Sequence, residues 1–170
     1  MNVLLGLTGS VASKLFDKIR ISLYQDRHEV RTIMTEKSKE FINMDDYWHD
    51  FYDDGSEWNN TSKVLHIDLV KWADAMVIAP CSANTLAKIA NGICDNLLTC
   101  VTRAWDFEKK LIIAPSMNCN MWNHPITKQH IDNISAWGIE IVQPIEKKLF
   151  CGDFGIGAMA NIEDICKKIQ

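Results

Sequence analysis

Three side chains that could bind an anion or move protons stand in separate segments of the sequence: His66, Asn118 and Cys151. A histidine titrates near neutral pH and can accept a proton. An amide with apolar neighbours can bind a carboxylate while water is kept out. Buried core cysteines rarely lie in loops punctuated by glycine, as residues 150–157 are, so a reactive thiol is a reasonable hypothesis there. These residue types predict a site that holds a carboxylate and transfers protons.

Asn118 and His66 also have purely structural interpretations. Asn118 follows Pro115 and could form an Asx turn. His66 lies between Leu65 and Ile67, a pattern that also fits a half-buried histidine of a strand. The three glycines of residues 150–157 suit a flap that opens for a substrate and closes over it. Residue types alone leave these alternatives open.

Hydroxyl side chains recur at three predicted helix starts, each after a predicted strand. They occur at Gly9-Ser10-Val11, at residues 35–38 (Thr-Glu-Lys-Ser) and at residues 82–85 (Ser-Ala-Asn-Thr). A helix start offers backbone N–H groups and a favourable dipole to a phosphate. One such start could be an ordinary capped helix, but three favour a phosphorylated cofactor. Because none has the G-x-G-x-x-G pattern, a mononucleotide is favoured over a dinucleotide.

The hydrophobic pattern predicts alternating strands and helices that would position these turns. Buried strands are predicted at residues 2–7, 29–34, 75–79, 111–114 and 140–142. Helices are predicted from residue 11 and at residues 35–42, 82–90, 96–103, 127–136 and 161–169, with a short element at 64–69 and an irregular loop at 43–62. The alternation predicts one α/β domain over residues 1–170, a three-layer sandwich of parallel sheet with helices on both faces, as in Rossmann-like (flavodoxin-like) folds.

Composition excludes several classes of protein. The net charge is −4, and there is no basic stripe, so we expect no nucleic-acid partner. No apolar run approaches the roughly 20 residues that span a bilayer, and no signal peptide is evident, so we expect a cytoplasmic protein with no membrane contact. The six cysteines include no C-x-x-C pair, so neither a metal site nor a disulfide framework is predicted.

Several stretches together resemble the flavin-dependent cysteine decarboxylase family, and within it the phosphopantothenoylcysteine decarboxylases. They are residues 65–69 (Leu-His-Ile-Asp-Leu), 79–85 (Ala-Pro-Cys-Ser-Ala-Asn-Thr), 115–122 (Pro-Ser-Met-Asn-Cys-Asn-Met-Trp) and Cys151-Gly152-Asp153. The resemblance covers nearly the whole chain. Ser116 stands where alanine is commoner, and Cys81 where serine or an aliphatic residue is usual.

The resemblance implies FMN as the cofactor and assigns roles residue by residue. FMN would be bound by Gly9, Ser10, Val11, Thr35, Ser38, Phe41, Ser82, Ala83, Asn84, Thr85 and Ser116. His66 would be the base, Asn118 the carboxylate anchor, Met121 a positioning residue and Cys151 a proton donor. Lys71 is expected, from its spacing after His66, to contact a substrate phosphate. The family is typically a homotrimer with the flavin site between subunits, so His66 and Asn118 would meet across an interface.

The implied reaction is decarboxylation of 4′-phosphopantothenoylcysteine to 4′-phosphopantetheine. Four alternatives remain: decarboxylation of a C-terminal cysteine of a peptide, flavin prenylation, regulation of a protein phosphatase by a relative of the same fold, and electron transfer. Prenylation does not call for Asn118 and Cys151 together, and electron transfer does not explain the Cys151 loop. The Cys151-Gly152-Asp153 motif favours the phosphopantothenoyl substrate over a peptide.

Overall fold

The strands and helices follow the predicted alternation in a computed structural model that describes residues 1–46, 51–58 and 63–170. The strands are β1 (Asn2–Leu7), β2 (Glu29–Met34), β3 (Phe51–Tyr52), β4 (Ala75–Cys81), β5 (Lys110–Pro115), β6 (Glu140–Ile141), β7 (Ile145–Lys148) and β8 (Phe154–Ala158). The α-helices are α1 (Phe16–Gln25), α2 (Glu36–Lys39), α3 (Asp54–Trp58), α4 (Leu65–Trp72), α5 (Ala83–Ala90), α6 (Leu97–Arg103), α7 (Cys119–Trp122), α8 (Pro125–Ala136) and α9 (Ile162–Ile169). Short 3-10 helices cover Val11–Leu15 and Met44–Asp46.

Six strands form one parallel sheet in the order β3-β2-β1-β4-β5-β6. The chain winds outward from β1 in one direction, then returns to β4 and winds outward in the other. The order therefore reverses between β1 and β4, and in open α/β sheets the crevice at such a reversal is where ligands bind. The predicted fold class is confirmed.

Two hydrophobic clusters, one on each face of the sheet, make the three layers. Along β1, Val3, Leu5 and Leu7 pack on one face with helices α1 and α9, while Leu4 packs on the other. That alternation is the period of two expected for a strand. The second face is covered by α4, α5, α6 and α8. In the part of the chain that is described, no helix is long and apolar enough to cross a membrane.

The prediction of an irregular loop at residues 43–62 is wrong for much of the part that is described. A 3-10 turn, strand β3 and helix α3 lie there, while residues 47–50 and 59–62 are outside the described ranges. Phe51 pairs with Thr32 of β2, which extends the sheet by one short strand. Asp53 then accepts a hydrogen bond from the Ser56 backbone at 2.9 Å, which caps α3. Long-range pairing and a local cap thus override an acidic, turn-rich composition.

Two further sequence expectations need correction. His66 lies on helix α4, so its interpretation as a strand histidine is wrong. Residues 150–157 are only partly a loop, because β8 begins at Phe154 and pairs antiparallel with β7. Cys151 lies in the turn of this hairpin. The glycines of residues 150–157 suggested irregular structure. Backbone pairing with β7 instead holds the second half of this segment in an extended conformation.

Candidate functional site

A cleft of about 1110 Å³ opens at the carboxyl ends of β1, β2, β4 and β5, where the strand order reverses. Thirteen of the residues predicted from the sequence line it: Gly9, Ser10, Val11, Thr35, Phe41, Ser82, Ala83, Asn84, Thr85, Ser116, Asn118, Met121 and Cys151. The structure therefore brings the three hydroxyl-bearing turns and the Asn118 and Cys151 segments to one place.

The turns after β1 and β4 are tied together through the buried side chain of Thr8. Its hydroxyl donates to the Pro80 carbonyl at 2.8 Å and accepts from the Ser82 backbone N–H at 2.7 Å. Ser82 in turn caps α5, its hydroxyl accepting from the Thr85 backbone at 3.3 Å. These contacts fix two helix starts relative to each other, as a rigid phosphate-binding surface requires.

Gly9 is required by close approach to a neighbouring helix start. A Cβ at Gly9 would lie 2.6 Å from the Cβ of Lys37, so a larger residue would push the two turns apart. Next to it, the Ser10 hydroxyl accepts from the Ala12 backbone and donates to the Ser116 hydroxyl at 3.0 Å. The first and fifth strands thus present adjacent hydroxyls to the cleft.

The Thr35 hydroxyl is a buried polar group of the cleft that could bind a ligand. It is buried, lines the cleft and has no hydrogen-bond partner among the described residues. Buried hydroxyls are normally satisfied, because leaving one unpaired costs free energy. Ser38 was expected to contact the cofactor, but it is buried and does not line the cleft. Its hydroxyl donates to the Thr35 carbonyl at 2.7 Å.

Basic side chains line the cleft in a chain that is acidic as a whole. Six lysines line it, against the four carboxylates of Glu36, Asp54, Asp95 and Glu163. The lysines are Lys14, Lys18, Lys37, Lys88, Lys147 and Lys148. The local balance favours an anionic ligand. Sequence reasoning did not identify these lysines, although the spacing of Lys14 and Lys18 by four residues after the first turn was a usable signal.

Asn118, Cys151 and Asp153 form a hydrogen-bonded triangle at the mouth of the cleft. The Asn118 side-chain nitrogen Nδ2 lies 2.8 Å from Asp153 Oδ2 and 3.2 Å from Cys151 Sγ. The Cys151 thiol also donates to Asp153 Oδ2, at 3.3 Å. The hydrogen bond from Asn118, and that from Cys151, lower the pKa of the Asp153 carboxyl.

The base of the β7–β8 hairpin is fixed against the Asn118 segment. The Met117 backbone N–H donates to the Gly157 carbonyl at 2.9 Å. A Cβ at Gly157 would lie 2.3 Å from the Met117 carbonyl oxygen, so only glycine permits this approach. Strand β8 is thereby held beside Asn118, and the thiol of the hairpin turn reaches the amide.

His66 and Lys71 lie on α4 and do not line the cleft of a single chain. The ring nitrogen Nδ1 of His66 lies 2.6 Å from Glu57 Oε1, and the His66 backbone N–H donates to Glu57 Oε2 at 3.0 Å. Lys71 is exposed. Glu57 was missed in the sequence because it lies in the acidic segment that was expected to be an irregular loop.

Comparisons with known proteins identify the family of the chain. The family model described as Flavoprotein matches residues 1–170. A phosphopantothenoylcysteine decarboxylase of Oryza sativa subsp. japonica is 51% identical over 165 residues, covering 94% of this chain and 74% of the rice protein. A solved cysteine-to-serine mutant of a PPC decarboxylase, complexed with pantothenoylaminoethenethiol, superposes with a TM-score of 0.91 at 44% identity, covering 99% of this chain and 95% of the other. The FMN-binding protein AtHal3 superposes with a TM-score of 0.88 at 45% identity, covering 99% and 94% of the two chains.

Proposed function

The chain belongs to the Flavoprotein family, and we propose that it decarboxylates 4′-phosphopantothenoylcysteine to 4′-phosphopantetheine with FMN as cofactor. This reaction is a step of coenzyme A biosynthesis, and the enzyme is a carbon–carbon lyase. The observation that carries the proposal is the contact of Asn118 with Cys151 at the mouth of a cleft lined by hydroxyls and lysines. The cleft offers binding groups for a phosphorylated cofactor, and its mouth offers an amide and a thiol.

The residues present fit FMN. The Thr35 hydroxyl needs a partner, and a ribityl hydroxyl or a phosphate oxygen would supply one. The N–H groups at the starts of the helices after Ser10 and Ser82 suit a phosphate. Phe41 and Ser116 would lie nearer the ring system, and Ser38 would act indirectly by holding the Thr35 carbonyl. We propose that residues 1–170 form one FMN-binding domain.

Oxidation is needed before the carboxylate can leave. If CO2 left directly from the carbon next to the amide nitrogen, the resulting carbanion would have no neighbouring group to accept its charge. FMN, when bound, would supply two-electron redox chemistry for the CH2–SH group, so that a thioaldehyde can form before CO2 leaves and the overall reaction stays redox-neutral. With the thioaldehyde beta to the carboxylate, loss of CO2 gives a stabilised enethiolate.

The chain's own residues hold the substrate and move its protons. The Asn118 amide would bind the substrate carboxylate, and Met121 at the cleft would help to orient it. His66 would remove a proton during oxidation of the thiol, and Cys151 would protonate the carbon that has lost CO2. The β7–β8 hairpin, whose turn carries Cys151, would limit the access of water to the enethiolate.

The position of His66 supports a site shared between subunits. Because its side chain is outside the cleft of its own chain, a second copy would have to bring it to Asn118. We propose a homotrimer with the flavin between subunits, located in the cytoplasm, with Lys71 near the substrate phosphate. Sedimentation of the FMN-loaded protein tests the trimer, and a stable monomer with full activity would exclude it.

The test of function compares two substrates. Purified protein loaded with FMN is given 4′-phosphopantothenoylcysteine or a peptide with a C-terminal cysteine, and released CO2 is measured. The proposal predicts CO2 from the phosphopantothenoyl substrate at a much higher rate. CO2 from the peptide alone would support the peptidyl-cysteine alternative, and no CO2 from either, with FMN bound, would favour a phosphatase-regulating role.

A further inference from the structure

One exposed carboxylate, that of Asp153, contacts both groups to which the proposed reaction assigns roles at the mouth of the cleft. Its Oδ2 atom accepts from Asn118 Nδ2 at 2.8 Å and from the Cys151 thiol at 3.3 Å. Asp153 is therefore placed where it affects both the carboxylate anchor and the proton donor, although it does not itself line the cleft.

The Asn118 side chain has only one end that can face a substrate. Its oxygen Oδ1 accepts from the Asn120 backbone N–H at 2.8 Å and caps helix α7, which fixes the orientation of the amide. The NH2 end carries two N–H groups, and its contacts are with Asp153 and Cys151. A substrate carboxylate bound to Asn118 would need the N–H that Asp153 now takes, and two carboxylates on one NH2 group repel.

The turn that carries Asp153 is closed by its own backbone hydrogen bonds. The Leu149 backbone N–H donates to the Asp153 carbonyl at 2.7 Å, and the Gly152 N–H donates to the Leu149 carbonyl at 2.9 Å. Cys151 and Asp153 are thus held in one tight turn. The flanking Phe150 is 80% exposed and Phe154 is 71% exposed, so displacing the turn removes little apolar surface from a packed environment.

We propose that Asp153 is a positioning residue that occupies the Asn118 amide until the substrate carboxylate displaces it, and that returns to Asn118 once CO2 has left. The inference rests on the proposed function. Its return brings the Cys151 turn back to the amide, next to the carbon that needs a proton. There the S–H bond of Cys151 breaks and a C–H bond forms, which restores the C=S group for reduction. The exposed thiolate then takes a proton from solvent.

This exchange couples the position of the Cys151 turn to the loss of CO2. While a carboxylate occupies Asn118, the amide does not hold the thiol turn in place. Loss of CO2 removes the competitor, so the thiol turn can return to the amide when the carbon becomes able to accept a proton.

The test uses two unreactive probes that differ only in the carboxylate. The first is S-methyl 4′-phosphopantothenoylcysteine, whose blocked thiol cannot be oxidised to a thioaldehyde, and the second is S-methyl 4′-phosphopantetheine. Calorimetry measures the binding of each to FMN-loaded wild type, Asp153→Ala and Asp153→Glu. Loss of a competing charge-assisted hydrogen bond should tighten binding of the carboxylate probe to Asp153→Ala about tenfold. The second probe should change less than about twofold, and Asp153→Glu should restore most of the wild-type behaviour.

Two results would overturn the inference. Equal changes for both probes, in either direction, would mean that Asp153 only shapes the hairpin. Unchanged binding of the carboxylate probe would mean that no competition exists. Wild-type turnover of 4′-phosphopantothenoylcysteine is measured in parallel: if wild type releases no CO2, the proposed function fails, whereas normal turnover with either binding result above removes only the role of Asp153.

Discussion

Glu57 makes two hydrogen bonds to the single residue His66, one through each carboxylate oxygen. One is to the ring nitrogen Nδ1 at 2.6 Å and the other is from the backbone N–H at 3.0 Å. The Glu57 side chain is nearly buried, at 9% exposure, so water competes little for these hydrogen bonds. A carboxylate at Nδ1 favours the tautomer with its proton there, which leaves Nε2 as the proton acceptor. The pair therefore has the geometry of an oriented general base.

Replacing Glu57 tests that orientation. Glu57→Gln keeps the size of the side chain, but its amide can donate to Nδ1 and stabilise the wrong tautomer. We expect kcat to fall by about 10²-fold or more, toward the value of His66→Asn, because general-base catalysis is worth 10²–10⁴-fold. FMN absorbance should be unchanged in both variants. Near-normal turnover of Glu57→Gln would show that Glu57 does not control the histidine.

Because the Thr35 hydroxyl is unpaired in the described part of the chain, its removal should weaken FMN binding without lowering the stability of the apoprotein. Thr35→Val removes a buried hydroxyl that has no partner among the described residues. The apoprotein should keep its melting temperature or gain a little, while the Kd for FMN rises roughly tenfold, as expected for a lost hydrogen bond of about 1.4 kcal/mol.

Ser38→Ala is the matched control for Thr35→Val. The Ser38 hydroxyl donates a hydrogen bond to the Thr35 carbonyl, so removing this hydroxyl should lower the free energy of unfolding by about 1 kcal/mol. The Kd for FMN should rise less than in Thr35→Val. Flavin fluorescence quenching and thermal melts measure both quantities. An unchanged Kd for Thr35→Val would remove Thr35 from the cofactor site.

A methyl group at Gly157 should move the thiol away from the amide. The added Cβ would lie 2.3 Å from the Met117 carbonyl oxygen, so the base of the hairpin must shift. We expect Gly157→Ala to lower kcat at least tenfold, since a displacement of about 1 Å at a reacting group can cost 10²-fold.

Gly138→Ala provides a matched control for backbone strain. Gly138 has a φ of +91° but no atom within 4 Å of an added Cβ, and it follows α8 rather than lining the cleft. The free energy of unfolding of Gly138→Ala should be about 1–2 kcal/mol lower than that of wild type, and kcat should not change. Equal kcat values for wild type and Gly157→Ala would mean that the hairpin base does not position Cys151.

The Asp53 carboxyl links stability to acidic pH. Burial alone would raise its pKa, but the hydrogen bond from Lys39 and those from Ser56 outweigh burial, so the pKa lies below its ordinary value. A carboxyl with a lowered folded-state pKa stabilises the fold at pH values above its unfolded pKa of about 3.9, and the stabilisation is lost as pH falls through the folded value.

The melting temperature of Asp53→Asn should therefore lie below that of wild type at neutral pH. Plotted against pH, the two melting temperatures should converge as the pH falls below about 3.9 and through the lower folded-state pKa of Asp53. Asp132→Asn, which breaks only an exposed ion pair with Lys128, should change the melting temperature little at any pH. A constant difference between Asp53→Asn and wild type across this range would argue against the linkage.

The parts of the site that could be predicted from the sequence are those fixed by local rules. Ser10 and Ser82 follow buried strands and cap helices, so strand alternation alone places their turns at one edge of the sheet. The contact of Glu57 with His66 was not predictable, because it depends on α3, a helix formed in an acidic segment with little hydrophobic pattern.

The hairpin was missed for a similar reason. Its strands are short, and residues such as Lys147 and Gly155 carry no alternation that predicts a ribbon. Its position depends on the approach of Gly157 to Met117, a tertiary contact between segments distant in sequence. From the sequence, Asp153 could be identified only as part of a motif. Its contact with Asn118 depends on the same tertiary packing and could not be predicted.

The measurement that tests the account most directly is the mass of the product formed by wild type and by Cys151→Ser. Wild type should convert 4′-phosphopantothenoylcysteine to a product that has lost one CO2 with no net oxidation. Cys151→Ser should release CO2 but stop there, giving a product two hydrogens lighter, because the hydroxyl is a far weaker acid than the thiol. A saturated product formed by Cys151→Ser at the wild-type rate would contradict the assignment of Cys151 as the proton donor.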